Sequence, residues 1–270
     1  MNILQKFSTQ INLNKNSKSY NFTLILSLLL LLIIGVFASI SIGSAKIPLS
    51  EMISAMKEGD HTLKPYIIFM FVRIPRTLAA VLAGCALSVS GAILQSVLNN
   101  SLASPNIIGV NSGAGLFTVL IAAFFPLNLQ LTTIASFLGA ILAVFLVYFI
   151  AKKTGASRMT IVLSGVAVSS FIGAITDTIL TLKPDTLIAR SAFLMGGFSG
   201  ITMDKISFPS FFIVLSLIIA LIISYDMNIL ALGDESAKSL GLNIVRIRFI
   251  CLILAALLAG SAVSFAGQIG

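Results

Sequence analysis

The sequence predicts an all-α polytopic membrane protein. Two observations carry that prediction. Only 10% of the 270 residues are charged and 57% are hydrophobic, whereas a soluble domain carries about 25% charged residues. The apolar residues also fall in unbroken blocks close to the ~20 residues that cross a hydrocarbon core, not in short amphipathic stripes. A net charge of +8 would raise nucleic acid as a partner for a soluble chain. Here Lys and Arg lie between apolar blocks and leave no contiguous basic face to follow phosphates, so no nucleic-acid partner is expected.

Residues 1–21 form a polar tail rich in Asn, Lys and Ser. A first span follows at 22–43. The block Leu24–Ile42 is too long for a signal-peptide core, and no clear small-residue cleavage site follows it, so it reads as a retained span. A mixed-charge loop (Lys46, Glu51, Lys57, Glu58, Asp60, His61, Lys64) leads to a second block at about 66–98, longer than a bilayer needs and therefore tilted or projecting. Pro75, between Arg73 and Arg76, marks a helix start or a kink. The break at 99–105 carries no Lys or Arg. Irregular backbone at membrane depth is tolerated there only under cover of protein or in a wet cavity.

Blocks at 107–125, 131–151, 159–181, 206–225 and 247–269 bring the total to seven spans in one transmembrane domain, 22–270. The long loop Leu182–Lys205, with Gly196, Gly197 and Gly200, reads as a short helix folded back on the outer surface. Nine of the 17 basic residues fall inside if the N-terminus is cytoplasmic, which decides nothing by itself. The local pattern favours N-inside, because the tail has three Lys and no acid, and the loop at 152–158 has three basic residues and no acid.

Three faces of small residues at i, i+4 spacing point to close helix packing: Ala80, Gly84, Ser88, Ala92 and Ser96; Gly165, Ser169 and Gly173; Ala256, Gly260 and Ser264. Cys85 and Cys251 lie inside apolar blocks and read as small buried hydrophobes. His61 is the only histidine, so neither a histidine metal site nor a serine–histidine pair is supported, and no catalytic residue is expected. Asp177 is the one acid well inside an apolar block. It is a functional candidate by default, yet it falls about 26 Å into its span, near the outer interface, where an acid costs little. Gln95, Asn99, Asn100, Asn106 and Asn111 around the 99–105 break, with Ser164, Ser169, Ser170 and Thr176 in the fifth span, either line a wet path or bond between helices.

No G-x-x-x-x-G-K-[ST] phosphate loop occurs. If transport uses ATP, another chain binds it, and no cofactor is expected here. The stretch Leu230–Asn243 carries Leu232, Ala237 and Leu240 among charged and small residues, with Gly233 and Gly241 bracketing a short helix. Its apolar stripe needs either a protein partner or the membrane surface.

The runs Arg73–Gly84, Ser90–Ser96, Asn100–Pro105 and Gly109–Gly115 closely resemble the FecCD-type permeases, the membrane subunits of ABC importers for ferric siderophores, haem and cobalamin. Leu194–Gly200, Leu230–Gly241 and Phe265–Gly270 resemble further segments of the same family. The resemblance implies a fold of about ten helices, here seven of them, with the chain stopping inside a recognised motif. It implies a second permease subunit (identical or different), a cytoplasmic ABC ATPase dimer and an extracytoplasmic substrate-binding protein. It implies that Arg73 and Arg76 look outward and meet acids on the binding protein, as bidentate arginines can. Leu232, Gly233, Asp234, Glu235, Ala237, Leu240 and Gly241 then form the ATPase-coupling loop, and 152–160, with Thr154 and Ser157, narrows the cytoplasmic exit. The leading expectation is a ferric-siderophore permease of the cytoplasmic membrane. Haem or cobalamin by the same mechanism comes next. A secondary transporter would need several midplane acids and has only Asp177 to offer. A membrane enzyme lacks a titratable cluster.

Overall fold

The computed structural model describes residues 18–43, 45, 47–58, 62–126, 128–155 and 157–269. His61, Lys46, Asp60, Gly270 and most of the N-terminal tail lie outside them. The described residues contain helices and no strand. They include α1 (Lys18–Ser41), α2 (Leu49–Glu58) and α3, a continuous apolar helix from Lys64 to Leu98 with a π turn at Phe69–Arg73. After a 3₁₀ turn at Pro105–Ile108 come α4 (Val110–Phe124), α5 (Leu129–Lys153) and α6 (Arg158–Leu182). The chain continues through α7 (Leu187–Met195), α8 (Met203–Ile222), α9 (Ser224–Ala231), α10 (Asp234–Ser239) and α11 (Ile244–Ala266).

Among the described residues six helices are long and apolar enough to cross a membrane, and α4 is shorter. At 1.5 Å per residue, α4's 15 residues reach only about 22 Å. The expected span at 107–125 is therefore a short helix entered through a 3₁₀ turn. Helix α1 begins at Lys18, inside the stretch expected to be tail. The folded-back element in 182–205 is α7.

The chain falls into two compact units, Met1–Thr77 and Leu78–Gly270. Within the first, α1 exposes apolar side chains on nearly every position from Phe22 to Ile34, the pattern of a lipid-facing helix. Its C-terminal carbonyls have no partner within the helix. Arg73 supplies one: Nη1 donates to Ile40 O and Ser41 O, each at 2.7 Å, and Nη2 donates to Ala45 O at 2.9 Å. A cation at a helix C-terminus is also favoured by the macrodipole. Ser39 and Thr77 share a hydroxyl hydrogen bond at 2.8 Å. Replacing Arg73 with Met keeps the stem and removes these donors. Amide exchange at 38–45 is expected to accelerate about tenfold, equivalent to ~1.4 kcal/mol, at the low end for a charged donor. Exchange mass spectrometry of the purified protein checks it.

In the second unit, α5 lies at the centre, with α4 on one side and α11 on another. Side chains at the α4–α5 crossing would keep the backbones apart. A Cβ on Gly113 would sit 2.2 Å from Gly139 O, and one on Gly139 would sit 2.4 Å from Gly113 O. Gly260 of α11 rests on Ala140 in the same way, since its added Cβ would meet the Ala140 Cβ at 2.9 Å. Such contacts give helices in lipid their dispersion and weak hydrogen bonds. Ser90 Oγ adds a buried bond to Ala255 O at 2.9 Å.

Of the three expected small faces, Ala256–Gly260 is buried as expected, and Gly165 abuts the Ile107 carbonyl. The face on α3 differs. Ala80, Gly84, Ser88 and Ala92 are exposed, and the buried side is Ala79, Ala83, Ala86, Ser90, Ile93, Leu94 and Val97. Both stripes are rich in small residues, and the buried one also carries Ile93, Leu94 and Val97, whose apolar area the core takes up. Cys251 is buried, but Cys85, beside Gly84, is exposed.

Candidate functional site

At one end of the second unit, four segments converge on two arginines and one aspartate. The convergence starts from turn chemistry. Ser157 caps α6, its hydroxyl accepting from Thr160 N at 3.2 Å, so Arg158 becomes the first residue of that helix. Asn243 caps α11 by accepting from Arg246 N at 3.2 Å, which sets Arg248 in the second turn. Between them, α10 is bounded by Gly233 and Gly241. Gly241 has φ +82, and its N–H reaches Lys238 O while Leu242 N reaches Ala237 O. That is a Schellman ending, and it favours glycine because φ is positive.

Asp234 opens α10 and takes both arginines. Arg158 Nη2 donates to Oδ1 at 2.7 Å, and Arg248 Nη2 donates to Oδ1 at 2.8 Å and to Oδ2 at 3.0 Å. Arg248 is 5% exposed, Arg158 23% and Asp234 44%, so this is a half-sheltered cluster and not a surface pair. The Asn99 amide, oriented with its oxygen toward the guanidinium, accepts from Arg158 Nη1 at 2.9 Å and donates to Ala231 O at 3.3 Å. Asn99 ends α3 with φ +47, a left-handed conformation that Asn adopts more readily than most residues.

Desolvation pushes the Asp234 carboxyl up. The hydrogen bond and charge of Arg248, with those of Arg158, outweigh it and hold the group below the ordinary value of 3.8. A depressed carboxyl stabilises the fold above its unfolded value and loses that contribution as pH falls through the folded one. The cluster is therefore expected to be intact and pH-independent from about pH 5 to 8, and to open only below the ordinary aspartate range. The difference in melting temperature between wild type and Asp234→Asn, followed against pH, checks this: it is expected to be constant from about pH 5 to 8 and to vanish in acid.

The apolar stripe of α10 divides. Ala237 is fully buried, while Leu232 and Leu240 are 67% and 62% exposed. Glu235 is exposed beside them.

The other expected site residues scatter. Gln95 is exposed and donates to Ser101 O at 3.1 Å, folding the 99–104 break onto α3. Asn111 donates to the Asn106 side chain across the 3₁₀ turn. Thr154 bonds back to Ile150 O and Ala151 O. Ser164 is buried, and Ser169 turns its hydroxyl into the bundle beside Gly109. The exposed side of α6 carries the expected Ser170 with Ala167, Ala174, Asp177, Thr178 and Thr181, and also the apolar Leu163, Val166 and Phe171.

Arg76 is exposed, but Arg73 is 5% exposed with its guanidinium committed to backbone carbonyls. The expectation that both arginines look outward is corrected for Arg73, because the end of α1 needs its donors more than solvent does. At the end of the second unit opposite Asp234, Gly197 N donates to Ala266 O at 2.7 Å and Gln268 N to Phe193 O at 2.8 Å. The run Leu194–Gly200 and the described part of the run that begins at Phe265 thus meet, joining the end of α7 to the end of α11.

With this geometry in view, comparison with known proteins is decisive. The model of the FecCD transport family matches residues 31–270. The chain belongs to the FecCD transport family. Among its relatives, the Fe(3+)-citrate import system permease protein YfmD of Bacillus subtilis is 34% identical over 239 residues, 87% of this chain and 70% of that protein. The cobalamin import system permease protein BtuC of Halobacterium salinarum is 34% identical over 200 residues, 74% of this chain and 54% of that protein. A solved metal-chelate type ABC transporter in an inward-facing conformation superposes with a TM-score of 0.77 at 28% identity, covering 92% of this chain and 76% of that one. As a FecCD protein, the chain is a multi-pass membrane transport component.

Within this FecCD chain, sequence reasoning found α10 and Asp234 but missed Arg158 and Arg248 as its partners. The available signal was the acidic pair Asp234–Glu235 among basic residues at the same end of three spans. Of the α6 hydroxyls it chose, Ser170 is exposed while Ser164 and Thr176 are buried.

Proposed function

We propose that this chain is the permease subunit of an ATP-binding-cassette importer that carries a ferric chelate of the siderophore type across the cytoplasmic membrane. The observation that carries the reading is the family match over 31–270 together with 34% identity to an Fe(3+)-citrate permease. The site geometry supports it. Leu232 and Leu240 flank the short helix α10 and are exposed, as anchors for a groove of a cytoplasmic ATPase dimer would be. The sequence has no phosphate loop of its own, so nucleotide belongs to that partner.

In this reading the N-terminus and α10 are cytoplasmic, and Arg76 faces the substrate-binding protein outside. The exposed side of α6 meets the second permease subunit across an aqueous path. Ser170, Asp177 and Thr178 supply polar groups on that side for such a path, beside the apolar Leu163, Val166 and Phe171. Thr154 and Ser157 lie at the cytoplasmic mouth of that path.

The test is uptake of radiolabelled ferric citrate and ferric hydroxamate by iron-limited cells with the intact gene or a clean deletion. Loss of uptake on deletion, restored by the gene, supports the reading, and equal uptake in both rejects it. The likeness to a cobalamin permease favours a second reading, with cobalamin as the ligand. Uptake of labelled cobalamin, but of neither iron chelate, would select it.

A further inference from the structure

We propose that Asp234 and Arg158 are positioning residues that tie the movement of α10 to the first turn of α6, so that a push on the coupling helix reaches the cytoplasmic mouth directly. This rests on the permease reading above. Asp234 and Arg158 are 76 residues apart, and α10 is a six-residue helix between two glycines of positive φ. Left to itself, so short an element on glycine joints would swivel.

The bonds that hold it are charge-assisted and short, 2.7 Å to Arg158 and 2.8 Å to Arg248. Arg158 directly follows the segment holding Thr154 and Ser157, and it opens the helix whose exposed side carries Ser170 and Asp177. Its other amino group is held by Asn99 at the end of α3. The Arg158 guanidinium thus joins the coupling helix and the end of α3 to the first turn of α6, which the mouth loop enters directly. A displacement of α10 by about 1 Å would either stretch the 2.7 Å bond beyond hydrogen-bonding range or draw Arg158 with it. Arg248 has a different part. It anchors the same carboxylate to α11 from a buried position, so Asp234 stays oriented even without Arg158.

The experiment uses the full importer, with both permease subunits, the ATPase dimer and the binding protein, in proteoliposomes. Ferric chelate moved per ATP hydrolysed is the readout. Arg158→Gln leaves the Asp234–Arg248 pair in place and is the primary variant, with Asp234→Asn and Asp234→Glu beside it. The expected result is a roughly tenfold fall in chelate per ATP for R158Q and D234N, no further fall in the double variant, and recovery to at least half by D234E. A fold-stabilising role alone would lower the yield of assembled complex and leave the ratio in the assembled fraction unchanged, and that result overturns the inference. So does a pair of losses that multiply in the double variant. A wild-type complex that hydrolyses ATP without moving the chelate overturns the permease reading and this inference together. A transporting wild type matched by an equally coupled R158Q overturns the inference alone.

Discussion

Valine at position 113 is expected to lower the melting temperature of the purified protein by about 10 °C, the scale set by ~3 kcal/mol in a chain of this size. Its Cβ would lie 2.2 Å from Gly139 O and 2.6 Å from the Ala143 Cβ. Neither obstacle is a flexible side-chain tip, so α4 and α5 must separate along their length. That separation would forfeit the dispersion that holds helices together where lipid is as apolar as they are. The control is Gly173→Val on α6, where an added Cβ meets nothing within 4 Å and a shift below about 2 °C is expected. Thermal unfolding followed by size-exclusion chromatography in detergent compares the two. Equal shifts would mean that the Gly113–Gly139 crossing does not hold the bundle.

The second large effect is on assembly. Replacing Leu232 and Leu240 together by Ser is expected to weaken binding to the partner ATPase at least 100-fold. Each leucine buried at an interface contributes about 1.5–3 kcal/mol, and 1.4 kcal/mol is a factor of ten. The melting temperature of the isolated permease should not change, because both side chains are already more than half exposed. A binding isotherm of the ATPase against wild-type and L232S/L240S permease checks this. Unaltered affinity would mean that the ATPase docks elsewhere.

How much of this was legible in the sequence varies with the range of the interaction. Helix spans are set by local hydropathy, so α1, α3, α5, α6, α8 and α11 fall close to their predicted blocks. Helix α10 was legible because Gly233 and Gly241 punctuate it, and positive φ is a local demand. The α3 face was misread because spacing identifies a stripe of small residues but not which stripe a neighbour covers. Ala80 and Ala79 are one position apart, yet one is exposed and the other fully buried. Arg73 looked like a surface arginine because its acceptors, the carbonyls of Ile40, Ser41 and Ala45, are backbone atoms and leave no mark in residue identity. The Arg158–Asp234–Arg248 cluster depends on three distant turns closing at one end of the bundle. Composition showed the charges but could not pair them.

The most direct test is chemical protection of the coupling helix during work. With Cys85 replaced by Ser and the buried Cys251 left in place, a cysteine at Leu240→Cys is exposed to a water-soluble maleimide in the isolated permease and in the assembled importer while it transports. Rapid labelling of the isolated protein and at least tenfold slower labelling in the working complex are predicted. Equal labelling in both, with chelate still being imported, would contradict the claim that force from ATP enters this bundle through residues 230–241.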